Sequence, residues 1–257
     1  MAKSQSISAS LDAHQTEILT LIKANTGRYG TYVVFRDFCE MAAISLSNAV
    51  DRSHWEQREA RYMALVSRYT PEEVQRFPAM LARLTSSLRE TFHDVLGEIF
   101  MALELGDRRH GQVFTPYHLA RMMAEMVLVD LDAVLDRHGF ITVYEPAVGG
   151  GAMVIGTAHA LHDRQVDYHE VLHVTAQDID RTAVHMSYIQ LSLLGIPALV
   201  IHGDALDNQA FPEVWVTPQH VLGGWHKKLA ARYADTSAVT VAPQALTGRV
   251  EQLSFVL

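Results

Sequence analysis

Tyr144-Glu145-Pro146-Ala147-Val148-Gly149-Gly150-Gly151 follows the β-rich run of residues 140–145 (FITVYE) and precedes a helical stretch over residues 152–162. Glycines between a strand and a helix let the backbone turn tightly and approach a ligand with no Cβ in the way. Two common readings of such a turn fail. A phosphate-binding P-loop has the spacing at Gly151 and Gly156, but Thr157 stands where lysine is required. A dinucleotide fingerprint fits Gly149 and Gly151, but Val154 fills the third glycine position. What is left is an acidic residue, a short link and G-x-G at the end of a strand.

The sequence downstream extends this unit. Residues 171–178 (VLHVTAQD) read as a second strand, 181–194 as a helix stopped by Gly195, 198–204 (ALVIHGD) as a third strand and 214–218 (VWVTP) as a short fourth. Residues 237–242 and 251–257 suggest two more strands. Strands and helices alternating at this spacing predict an α/β fold, a parallel sheet with helices on both faces. Asp178, at the end of the second strand, is placed to accept both ribose hydroxyls of a nucleoside. Asp180 reads as the cap of the next helix. Asp204, at the end of the third strand, is placed to receive an adenine amino group.

Upstream, residues 11–105 have a helical rhythm. Leu11, Ile18, Leu19 and Ile22 mark one helix, and residues 33–50 a second. Thr70-Pro71-Glu72-Glu73 is a capping box with proline at the first helical position, followed by the apolar face Phe77, Met80, Leu81, Leu84 and Leu88. Val95 to Leu105 extend a further helix, ended by Gly106. The expected organisation is an N-terminal helical domain over 1–105 and a shortened sheet domain over 106–257.

Bulk properties narrow the class. Of 257 residues, 49% are hydrophobic, enough for a core, and the single Cys39 excludes a disulfide framework. The start, MAKSQSISAS, has no apolar signal core, and no apolar run reaches the roughly 18 residues of a membrane helix. A cytoplasmic protein without a membrane span is expected. Net charge is −8, which opposes sequence-blind nucleic-acid binding. The charge is uneven, with 13 Lys+Arg against 14 Asp+Glu in residues 1–110 and 8 against 15 in the remainder. DNA contact is therefore expected from the N-terminal half, which carries Arg52, Arg58, Arg61, Arg68, Arg76, Arg83 and Arg89. His159 and His162 lack an obvious third ligand, so no metal site is expected.

GQVFTP (111–116), YEPAVGGGAM (144–153), AQDID (176–180) and GDAL (203–206) occur in this order. Together they resemble the adenine-N6 DNA methyltransferases related to the modification subunits of type I restriction systems, over residues 90–225. The resemblance implies a Rossmann-like S-adenosylmethionine-dependent methyltransferase sheet. It implies that Phe114 and Thr115 lie over the cofactor and that Glu145, Pro146, Gly149 and Gly151 cradle its methionine part. By the same matching, Asp178 holds the ribose and Asp204 the adenine. It also implies DNA as substrate and a specificity or partner subunit.

The sequence departs from that family at its catalytic tetrapeptide, Asn or Asp, Pro, Pro, aromatic. After the fourth strand this chain reads Thr217-Pro218-Gln219-His220. If this is the catalytic element, Thr217 and the Pro218 carbonyl accept the hydrogens of the target amine and His220 stacks on the flipped base. Three functions stay open: adenine-N6 methylation of DNA, a catalytically degenerate cofactor-binding subunit or regulator, and methylation of another substrate. Trp215 and Trp225 flank the tetrapeptide and read as core residues or as walls of a base cleft.

Overall fold

The computed structural model describes residues 11–103, 114–206 and 213–237 and the short strand Phe255–Val256. Among the described residues, five helices come first: α1 (Ala13–Ala24), α2 (Thr31–Asn48), α3 (Trp55–Val66), α4 (Pro71–Glu90) and α5 (Val95–Ala102). The predicted capping box starts α4: Thr70 Oγ1 accepts from Glu73 N at 3.3 Å and Glu73 Oε2 accepts from Thr70 N at 2.8 Å. Asp12 and Gln15 form a second box at α1. Two helices that the sequence reading passed over, α6 (Tyr117–Val127) and α7 (Leu131–His138), lead into the sheet.

Five strands form one sheet: β1 (Ile141–Glu145), β2 (Leu172–Asp178), β3 (Ala198–His202), β4 (Glu213–Val216) and β5 (Phe255–Val256). Their order is β4-β3-β2-β1-β5. The crossovers run through α8 (Ala152–Asp163) with the short α9 (Tyr168–Val171), and through α10 (Arg181–Leu193). β1, β2, β3 and β5 are parallel, as the α/β reading requires. The fold is thus a mixed α/β, Rossmann-like sheet preceded by helices. The expected strand at 237–242 lies almost wholly outside the described residues, as do the ends of the predicted helix at 104–106.

β4 departs from expectation. It pairs antiparallel with β3, from Leu199 opposite Val216 to His202 opposite Glu213. Its connection explains the reversal. Residues 203–212 separate β3 from β4, and a parallel neighbour needs a crossover of about a dozen residues or more. The chain therefore folds back along β3, then continues into α11 (Pro218–Leu222) and α12 (Trp225–Ser237).

The helices are not a separate body lying beside the sheet. α2 packs on α10, and α5 packs on α10 and α4. One buried core runs from Ile18 and Phe35 through Leu96 and Phe100 to Val143, Val174 and Trp215. Phe35, Phe100 and Phe114 continue that path with ring centroids 5.7 and 5.1 Å apart, ending at the glycine turn. The expected boundary between residues 105 and 106 falls outside the described residues. Cys39, Trp215 and Trp225 are all buried.

Candidate functional site

The site is assembled where the parallel strands end. Gly149 and Gly151 have φ of 54° and 106°, the left-handed region that suits glycine. The turn is tied to β2: Val148 N donates to Gln177 O at 2.9 Å and Gly149 N to Asp178 Oδ2 at 2.9 Å. Gly203 N donates to Asp178 O at 2.9 Å, which brings the end of β3 to the same place. Glu145, Gly149, Asp178 and Asp204 therefore meet at one edge of the sheet.

A cleft of about 270 Å³ opens there, lined by Pro146, Ala147, Asp178, Ile179, Asp204, Ala205 and Leu206. That is just under the roughly 300 Å³ at which small-molecule sites begin, so the cleft takes part of a larger ligand. Asp178 Oδ1 accepts from Asp180 N at 2.9 Å and Oδ2 from Gly149 N. A carboxylate has about four lone-pair sites, so both oxygens can still accept a hydroxyl. Asp204 Oδ1 accepts from Leu206 N at 2.9 Å. Ile179, 69% exposed, and Leu206, 94% exposed, form the apolar part of the lining. Neither residue was singled out from the sequence.

Glu145 is buried and accepts from Ala147 N at 3.1 Å. Burial holds its carboxyl above the usual value, and Asp178 adds to the shift. Asp178 is raised by burial too, against the hydrogen bonds it accepts from Asp180 and Gly149. A nearby cation would favour the ionised form of both carboxyls, against the effect of burial. Phe114 packs on the turn: a Cβ on Gly149 would lie 3.0 Å from its ring. Thr115 is exposed just before α6.

Behind the turn lies a polar knot that sequence reasoning missed. Gln190 Nε2 donates to Gly150 O at 2.6 Å and to Asp94 Oδ1 at 2.8 Å, while its Oε1 accepts from Leu96 N at 3.1 Å. Asp94 caps α5 by accepting from Gly97 N at 2.9 Å. The available signals were a capping aspartate before Val95 and one glutamine within the buried run 182–191 of α10.

The tetrapeptide lies elsewhere. Because β4 runs back along β3, Thr217 sits at the start of β3, about 15 Å of strand from the cleft. Its hydroxyl donates to Ile196 O at 2.9 Å and accepts from Ala198 N at 2.8 Å, and the residue is fully buried. Pro218 is the first residue of α11. His220 Nδ1 lies 2.9 Å from His173 Nε2 in a buried pair beside Trp225. Burial holds His173 down at about 3 and His220 at about 4. The structure does not bring Thr217, Pro218 and His220 to the cleft: the reversal of β4 places Thr217 at the opposite end of the sheet, buried and hydrogen-bonded to Ile196 and Ala198.

Of the seven N-terminal arginines expected to contact DNA, five have partners within the chain. Arg58 is buried, donates to Asp51 at 2.7 Å, to Ser47 and to Val214 O at 3.2 Å, and stacks over Trp215. Arg61 pairs with Glu40, Arg68 with Asp37 and Arg83 with Glu17, and Arg76 donates to Asn25. These arginines join helices to each other and to β4. His159 and His162 pack on Phe92, and His159 also lies 2.8 Å from Tyr117 Oη.

A glycine turn and carboxylates gathered at the ends of parallel strands define a Rossmann-like α/β protein with an acidic ligand cleft. The chain belongs to the N-6 DNA Methylase family, whose model matches residues 89–227. That span includes every site residue named above. No curated protein matches the chain. Among solved structures it is similar to a Listeria monocytogenes protein described as a class I S-adenosylmethionine-dependent methyltransferase, with 13% identity and a TM-score of 0.39. That similarity covers 79% of this chain and 57% of the other. It is also similar to a type I restriction-modification system methyltransferase subunit from Streptococcus thermophilus, with 11% identity and a TM-score of 0.37, over 82% of this chain and 60% of the other. The chain thus spans less than two thirds of the length of either structure.

Proposed function

We propose that this chain binds S-adenosylmethionine at the strand ends and serves methylation of adenine N6 in DNA as the cofactor-holding subunit. The observation that carries the reading is the convergence of Glu145, Gly149, Asp178 and Asp204 on one cleft with two exposed apolar side chains. In this reading Asp178 accepts the ribose hydroxyls and Asp204 the adenine amino group, while Ile179 and Leu206 flank the ring. Pro146 lines the nucleoside end. Glu145, Gly149 and Gly151 hold the methionine end, with Phe114 and Thr115 above it. The bound cofactor supplies a methyl group on a cationic sulfonium. Ionised Glu145 and Asp178 match that charge.

A target adenine needs more than this. Its exocyclic amine is a poor nucleophile until acceptors hold its hydrogens and turn the lone pair toward the methyl group. The side-chain acceptors lining the cleft are Asp178 and Asp204, both given to the nucleoside. Thr217 is at the far end of the sheet. The described residues of the cleft leave no further side-chain acceptor for the base, and in this reading the base-steering acceptors and the DNA-reading surface come from a specificity or partner subunit, in keeping with a net charge of −8 on this chain.

Calorimetry with S-adenosylmethionine tests the first half. Binding is expected for the wild type and lost in Asp178→Ala; no heat from the folded wild type would sink the cofactor reading. Tritiated methyl transfer to DNA tests the second half. The purified chain alone should transfer nothing, and lysate of its native host should restore transfer. Transfer by the purified chain alone would remove the need for a partner.

A further inference from the structure

Gly150 is the one glycine of the turn that the backbone does not require, since its φ is not positive. Space requires it. A Cβ on Gly150 would lie 2.7 Å from Asp94 Cγ, and a Cβ on Gly97 would lie 2.6 Å from the same atom. The Asp94 carboxyl is thus clasped between two residues that lack side chains. Asp94 and Gln190 are 3% and 0% exposed. Both donor positions of the Gln190 amide are used, on Gly150 O and Asp94 Oδ1, and its oxygen is taken by Leu96 N. A cap alone needs only Asp94 and Gly97 N. The glutamine adds a strut from α5 and α10 to the carbonyl of Gly150, which fixes the peptide plane between Gly149 and Gly151.

We propose that Asp94 and Gln190 are positioning residues that set the glycine turn for the methionine end of S-adenosylmethionine. The inference rests on the cofactor reading above. The nucleoside end is held chiefly by Asp178 and Asp204 at the ends of β2 and β3, to which the knot makes no hydrogen bond, although Gly149 N also donates to Asp178 Oδ2. The knot should therefore matter for one half of the ligand and not the other. General packing would affect both halves alike.

The test titrates S-adenosylmethionine and 5′-methylthioadenosine, which keeps the nucleoside, carries a neutral thioether in place of the sulfonium and lacks the amino-acid end. Asp94→Ala and Gln190→Met should weaken S-adenosylmethionine by about tenfold or more, the scale of a lost buried hydrogen bond. They should leave 5′-methylthioadenosine nearly unchanged. Asp94→Asn should resemble the wild type for both ligands, because Oδ1 alone receives Gly97 N and Gln190 Nε2. Gln190→Met keeps length and apolar contact, so it carries the test if Asp94→Ala does not fold. Equal losses for the two ligands, no loss for either, or Asp94→Asn behaving like Asp94→Ala would overturn the assignment. A wild type that binds neither ligand would remove the cofactor reading itself, and this inference with it.

Discussion

Thr217→Val separates a structural from a catalytic role for this residue. Valine matches threonine in shape but neither donates nor accepts. In the wild type the Thr217 hydroxyl satisfies Ala198 N at 2.8 Å and Ile196 O at 2.9 Å, out of reach of water. Each buried group left unsatisfied costs about 1–3 kcal/mol, so the variant should lose about 2–6 kcal/mol. For a chain of this size each kcal/mol moves Tm by about 2–4 °C, giving a fall of about 4–24 °C. Thr217→Asn should also destabilise, since it adds volume and an amide to a filled site. Thr217→Ser keeps the hydroxyl and should fall less. Differential scanning calorimetry reads all three, and the Tm increase caused by S-adenosylmethionine should persist in each folded variant. The reasoning is refuted if Thr217→Val melts with the wild type while abolishing methyl transfer in the complete complex. A gain of transfer in Thr217→Asn would refute it as well.

Other expectations follow from the buried charges. Glu145 and Asp178 are held above their ordinary values, so affinity for the cationic cofactor should rise with pH until both ionise; calorimetry from about pH 5 to about pH 8 should show this. Neutral 5′-methylthioadenosine should show a weaker trend. Burial lowers His173 to about 3, and His185 and His220 to about 4, so the folded state resists protons that the unfolded chain takes up near 6.5. Their stabilisation is present above about pH 6.5 and is lost as pH falls, by up to about 1.4 kcal/mol per pH unit for each. Urea midpoints of His185→Leu should depend less on pH between about pH 6 and 4 than those of the wild type. Arg58→Ala breaks the buried pair with Asp51 and should cost about 3–5 kcal/mol in urea unfolding. DNA retention by the folded fraction in a filter assay should not change.

The strand-end turn and the strand-end aspartates were legible because their signals are local. A glycine turn with an acidic residue before it, and aspartates after two apolar runs, are set by backbone sterics and by the direction of parallel strands. The capping box at Thr70 and the stop at Gly195 were legible for the same reason. Long-range contacts were not. Asp94 and Gln190 are 96 residues apart, and only the folded chain joins them at Gly150. Ile179 and Leu206 look ordinary in sequence; their exposure beside the cleft gives them meaning. The fourth strand was read correctly as a strand and wrongly as part of a wholly parallel sheet. The ten-residue connection before it already favoured reversal.

That reversal also decides what the N-terminal helices do. An antiparallel strand at the margin of a sheet leaves outward carbonyls to be satisfied or covered. Here Arg58 from α3 donates to Val214 O, and Tyr188 from α10 donates to Val216 O at 3.2 Å. Arg58 can reach this edge because Asp51 and Ser47 hold its guanidinium and Trp215 supports it from below. Five of the arginines that make the N-terminal half less acidic than the rest have partners within the chain; Arg58 is buried, while Arg61 and Arg83 stay half-exposed in their pairs with Glu40 and Glu17. A cation engaged in this way releases few counterions from DNA when a complex forms, so it contributes little to a salt-dependent affinity. The proposed division of labour, with the cofactor on this chain and the duplex on a partner, therefore predicts that DNA retention by this chain alone is weak and rises when the partner is added.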